Sequence, residues 1–297
     1  MLWILCGLAS ALFSTAGAIL SERTKVPGTI LAPWFRIVSV IACLPFVAHL
    51  SLPTAWQYWA LVLASAVLGG LNDVVIFNSI QTIGAGATSR FRRTSILLTF
   101  IIWLIISPAL LLHYLDNPAV GIAVLATHVL AVVFALRLKK DDTSWTALKM
   151  LWFPIMAAAM LPILSKLSFE YVPNATQGVF SYLFIQSSAV MLGFGLAGLV
   201  RNGWRHAVPG LKSLGANGAW KTGATISLIF VLGLMCKHYG YSLVENPAYI
   251  SVLLLTDTIW VLLYHKLSGI KDKTDVVSGM GIVACAAALI LIQIFFE

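Results

Sequence analysis

Solid apolar stretches separated by short polar breaks run the whole length of this chain. They fall at 2–20, 30–50, 56–80, 94–113, 119–136, 146–165, 177–200, 222–239, 247–265 and 276–295. A bilayer crossing takes about 20 apolar residues wound as a helix, so each stretch is long enough to span. Barrel strands would alternate polar and apolar residues, and these stretches do not. The pattern predicts an all-α polytopic membrane protein with ten transmembrane helices. Residues 1–18 look like the apolar core of a signal peptide but lack its basic start, and are read as the first span.

The longest polar segments are Arg137–Lys149 and Arg201–Lys221. The first lies almost at mid-chain and divides one transmembrane domain into two five-helix halves, 1–140 and 141–297. The halves look related. Leu97-Leu98-Thr99-Phe100-Ile101-Ile102-Trp103 in span four matches Leu254-Leu255-Thr256-Asp257-Thr258-Ile259-Trp260 in span nine at five of seven positions, and Gly121-Ile122 matches Gly281-Ile282.

Composition agrees: 60% of the 297 residues are apolar and 10% are charged, against roughly 25% charged in soluble domains. That excludes a soluble enzyme, a disordered chain and a disulfide scaffold. Cys6, Cys43, Cys236 and Cys285 lie in or beside apolar runs without metal or redox spacing and read as small core residues. The six histidines form no metal motif, and no cofactor is expected.

The net charge of +8 belongs to loops rather than to a nucleic-acid surface. Arg23, Lys25, Arg90, Arg92, Arg93, Arg137, Lys139, Lys140, Lys149, Arg201, Arg205, Lys212, Lys221, Lys266, Lys271 and Lys273 all lie in or beside odd-numbered loops. The positive-inside rule places those loops in the cytoplasm and both termini outside, here in a bacterial inner membrane. The bias follows spans one and three in the first half and seven and nine in the second, so equivalent loops have opposite character. A five-span repeat must insert upside down the second time, which gives two inverted five-helix repeats, as in secondary transporters.

With this plan, Pro33-Trp34-Phe35-Arg36 opening span two, Tyr241-Ser242-Leu243 leading to Trp260 and then Gly269-Ile270-Lys271-Asp272, and Gly279 and Gly281 in span ten resemble the ten-helix EamA-like branch of the drug/metabolite transporter superfamily. The resemblance implies a cavity lined from spans four and nine, and export as the common direction. The chain departs from the family in lacking the proline often carried mid-way along spans four and nine, Ile259 standing near that place in span nine, and in the orientation its charges imply.

Ionisable residues deep in a span tend to be functional. Asp257 lies about ten residues into span nine, roughly 15 Å deep at 1.5 Å per residue, and is the first candidate for a substrate amine or a proton. Its repeat partner is Phe100. Arg36 and Asp73 could pair, as a salt bridge, an inner gate or a substrate contact. Trp103 and Trp260 hold equivalent positions and could stack on a ligand. Tyr182, Gln186 and Ser187 give span seven a polar face, with Gln186 a candidate hydrogen-bonder. Lys166 with Glu170, and Lys237, His238 and Glu245, end spans six and eight, where they snorkel or form an outer gate. The GxGxxG at residues 193–198 lies inside an apolar span without a βαβ context and reads as close helix packing.

The expectation is a secondary transporter of a small organic metabolite, an amino acid or another amine-bearing compound, working by alternating access as a monomer or homodimer. A lipid-linked carrier translocase would need a basic phosphate site within the membrane. An intramembrane enzyme would need acid, base and nucleophile at one depth, and no such constellation is present. No ATP-binding loop is present either, so uphill transport would use an ion gradient or exchange.

Overall fold

A computed structural model describes residues 2–92, 94–137, 145–202, 219–269 and 276–296. Of the residues singled out above, Arg93, Lys139, Lys140, Arg205, Lys212, Ile270, Lys271, Asp272 and Lys273 lie outside them. Every regular element among the described residues is a helix.

The first half holds α1 (Leu2–Thr24), α2 (Gly28–Val47), α3 (Trp56–Ile83), α4 (Ala85–Arg92), α5 (Ser95–Ile106), α6 (Pro108–Asp116) and α7 (Pro118–Arg137). The second holds α8 (Trp145–Phe169), α9 (Ala175–Asn202), α10 (Ala219–Leu243), α11 (Pro247–Leu253), α12 (Thr256–Leu267) and α13 (Val276–Phe296). Among the described residues nine segments are long and apolar enough to cross a membrane, Pro247–Leu267 counting as one of them. The number becomes ten if α5 and α6, bent by 98° at their joint, make one span.

Span four therefore differs from the single helix expected at 94–113. Proline pushes the residue before it out of the helical region and has no N–H to give. Ser107, ahead of Pro108, sits at φ −111°, ψ 84°, and the chain turns there. On the other side of α5, the short polar helix α4 begins after Gly84, whose φ of +85° suits only glycine well. Ala85 N–H of α4 donates to Oε2 of Glu22 at 3.2 Å, so a carboxylate from the end of α1 caps its N-terminus.

Span nine is interrupted as well. Asn246 caps α11 by accepting from Ala248 N–H at 2.9 Å, with Pro247 in the first turn. The helix is interrupted at Leu254–Leu255 and resumes as α12, with Asp257 in its first turn.

The packing crosses the two halves. α1 lies along α10 and α8 along α3; α10 also packs on α2, and α3 on α9. α2 packs on α9 and α7 on α13. Around the interrupted spans, α5 rests on α8 and α12 on α1, while α4 meets α12 and α5 meets α11. The Gly193 and Gly195 positions correct the packing expectation: a Cβ at either would meet nothing within 4 Å, so these glycines do not bring two helices of this chain together.

Candidate functional site

The polar residues of α2, α3 and α9 meet inside the bundle. Arg36 Nη2 lies 2.6 Å from Oδ2 of Asp73, and Nε donates to the same oxygen at 2.7 Å. Nη1 reaches the second half of the chain, donating to Gln186 Oε1 at 3.2 Å and Ser187 Oγ at 3.4 Å. Gln186 Nε2 in turn donates to the Ser65 carbonyl and to Tyr182 Oη, both at 3.2 Å. A guanidinium held at 3% exposure needs this many acceptors, because a buried charge is tolerated only when paired and hydrogen-bonded. Gly69 leaves the room: a Cβ there would sit 3.2 Å from Arg36 Nη2 and 3.4 Å from Gln186 Nε2.

This network forms one wall of a cavity of about 130 Å³. α1 contributes Ser10, Ser14 and Ala18; α3 adds Asn72, Ile76 and Ile80; α4 adds Ala85, Thr88, Ser89 and Arg92; Leu161 comes from α8. α10 contributes Lys237, His238 and Tyr241. A second wall is aromatic, with Phe35, Phe77 and Phe230 edge-on to one another at 5.4–6.3 Å between centroids. Three cationic side chains (Arg36, Arg92, Lys237) and two carboxylates (Asp73, Asp257) border the space.

Asp257 is 5% exposed. Ser89 Oγ of α4 donates to its Oδ1 at 2.7 Å, and Thr15 Oγ1 of α1 donates to its main-chain carbonyl at 3.0 Å. Asp257 stands in the first turn of α12, where its own N–H donates to the Leu254 carbonyl and that of Thr258 to the Leu255 carbonyl, each at 3.1 Å.

Five of the seven residues singled out from the sequence thus border one cavity: Arg36, Asp73, Tyr182, Gln186 and Asp257. The two tryptophans do not. Trp103 is buried in the apolar core with Phe100, Ile96 and Tyr249 and is not among the cavity residues. Trp260 is 38% exposed and is not among the cavity residues. The sequence reading did not place Ser89, Arg92, Lys237 and His238 there. The last two read as residues at a span's outer end, yet His238 is buried, with Nδ1 2.7 Å from Ser165 Oγ and its ring against Tyr182, Tyr241 and Phe169.

No protein-family model matches this chain, and no curated protein matches it.

Proposed function

We propose that this protein is a secondary transporter of a small organic solute carrying an amine, an amino acid or a related metabolite, built on the plan of the ten-helix drug/metabolite transporters. The observation that carries this reading is the cavity: a charged space inside an apolar bundle, bordered by helices from both halves of the chain. Buried ionisable groups inside a membrane protein are costly to keep and mark solute pathways.

The packing supports two related, oppositely inserted halves. Exchanging α1 with α8, α2 with α9, α3 with α10, α4 and α5 with α11 and α12, and α7 with α13 turns each principal contact described above into another contact of the same set. The helices exchanged correspond in length too, α4 and α5 having 8 and 12 residues and α11 and α12 having 7 and 12. Broken helices at equivalent places are the mark of a transporter's binding site.

The same exchange suggests how access alternates. The α4–α12 crossing carries Ser89 and Asp257 at the cavity. Beside its counterpart, α5–α11, Phe100 of α5 stacks on His128 of α7 at 4.5 Å, and the Tyr249 hydroxyl of α11 hydrogen-bonds the Tyr114 hydroxyl of α6. Rocking would open one crossing as it closes the other. With both termini outside, the cavity side faces the cytoplasm, as an exporter in a bacterial inner membrane requires before loading.

The test is counterflow. Sealed vesicles containing the purified protein are preloaded with unlabelled amino acids or amines, then given the labelled compound. Accumulation above protein-free vesicles, lost in Asp257→Asn, is the expected result. Failure of every amine and amino acid tried to accumulate would refute the reading.

A further inference from the structure

His128 stands midway along α7 and is sealed inside the bundle, 0% exposed. Its Nδ1 lies 2.8 Å from the Val124 carbonyl one turn back. A carbonyl oxygen only accepts, so Nδ1 carries the hydrogen. Nε2 is buried with no hydrogen-bond partner. The ring as seated is therefore the neutral form, because a second N–H and a positive charge would be buried with nothing to accept them.

The ring also spans a seam between the halves. Its centroid lies 4.5 Å from that of Phe100 on α5 and 6.1 Å from that of Tyr249 on α11. Helices α4, α5, α6 and α13 pack on α7. Of their titratable groups, α6 brings Tyr114 to this core and α13 brings Cys285, α5 has none, and Arg92 of α4 borders the cavity. Among the described residues no charged side chain acts on the imidazole. Separating α5 from α11 parts the two surfaces that the ring bridges and lets water reach Nε2.

We infer that His128 is a proton site that fills only while the α5–α11 crossing is open, and that it makes the opening of that side depend on pH. The inference rests on the transporter reading for the movement that opens the crossing. The linkage has one sign. The proton binds the open arrangement and not the closed one, so acid draws the equilibrium towards open and alkali releases it. The closed arrangement has no means of keeping the proton, so His128 does not carry it across the membrane. It reads the pH of the side that opens. In the orientation proposed above that side is the exterior, and external acid would hold the carrier away from cytoplasmic loading.

The measurement is a distance between spin labels on Asn117→Cys, between α6 and α7, and Leu243→Cys, at the end of α10, both exposed positions. Pulsed electron paramagnetic resonance is recorded on the full-length chain in lipid nanodiscs, with the four native cysteines replaced by alanine. An imidazole open to water titrates near 6.5, so a proton held only in the open arrangement raises the open-to-closed ratio about 30-fold from about pH 7.5 to about pH 5. Expected is a longer-distance population that grows by that order in acid. The growth should be absent in His128→Phe, which keeps a ring against Phe100. A ratio that changes less than about threefold would overturn the inference, as would no longer-distance population at either pH. So would equal growth in His128→Phe, which would assign the effect to another group such as His113. The comparison of the two pH values does not depend on the His128 variant folding. Counterflow with a distance that ignores pH sinks the proton site alone. A distance that follows His128 without counterflow sinks the transporter reading alone.

Discussion

Arg36 and Asp73, from neighbouring helices, meet at 2.6 Å with almost no solvent access. Removing one partner strands the other charge, which costs about 3–5 kcal/mol for a buried pair. Asp73→Asn is therefore expected to lower the melting temperature in detergent sharply, whereas Arg36→Met combined with Asp73→Leu recovers most of the loss because no lone charge remains. Equal melting temperatures for wild type and Asp73→Asn would show that the pair does not hold α2 to α3.

Gly69 tests the same network sterically. The nearest atoms to an added methyl are the ends of two side chains, not backbone, so Gly69→Ala should fold with a loss of about 1–3 kcal/mol, the usual range for overpacking. The displaced Arg36 and Gln186 should still lower counterflow. Full transport at unchanged stability would mean the network tolerates a shift of its parts.

The two tryptophans should separate. Trp103→Ala empties a packed site and is expected to cost about 3–5 kcal/mol. Trp260→Leu, on an exposed face, should stay within about 0.5 kcal/mol and leave counterflow unchanged. Loss of transport in Trp260→Leu with stability intact would return that indole to the solute path.

This contrast shows what the sequence could and could not carry. Five matching positions in seven align Trp103 with Trp260 in the sequence, but helix rotation against neighbours decides which ring faces the core, and that is a tertiary property. The Arg36–Asp73 pairing was legible because a charge deep in an apolar stretch has few ways to be satisfied. Ser107-Pro108 carried the signal for the bend after α5, yet its apolar surroundings read as one continuous span. α4 is too short and too polar to register as part of a span. Lys237 and His238 were misplaced because residues near a span's end are read as reaching for water, while here α10 turns them inward.

The contact between α6 and α11 gives a fourth prediction. Tyr249→Phe removes the hydroxyl contact with Tyr114 and should loosen the packing around the neighbouring Phe100. In a chain whose four native cysteines are replaced by alanine, Phe100→Cys should then react faster with a small maleimide than the same cysteine with Tyr249 intact. Equal rates would show that the hydroxyl contact does not hold that packing.

Orientation is checked in the same cysteine-free background. Thr24→Cys, exposed at the end of α1, should react with an impermeant maleimide only after permeabilisation. Asn117→Cys, exposed between α6 and α7, should react in intact cells. The opposite pattern would reverse the assignment of both termini and of the cavity's side.

Among the nine described spans, the one that carries Asp257 is also the most wrapped by protein: 67% of its apolar window is buried, against 28% for α13. A break in a helix exposes backbone groups that hydrocarbon cannot satisfy, so such a break is stable only where neighbouring helices shield it. Bilayer thickness acts on a protein through its lipid-facing lengths. Membranes of different thickness should therefore bear on the outer helices while leaving the surroundings of Asp257 almost untouched, so that lipid composition and the geometry around this carboxyl vary independently.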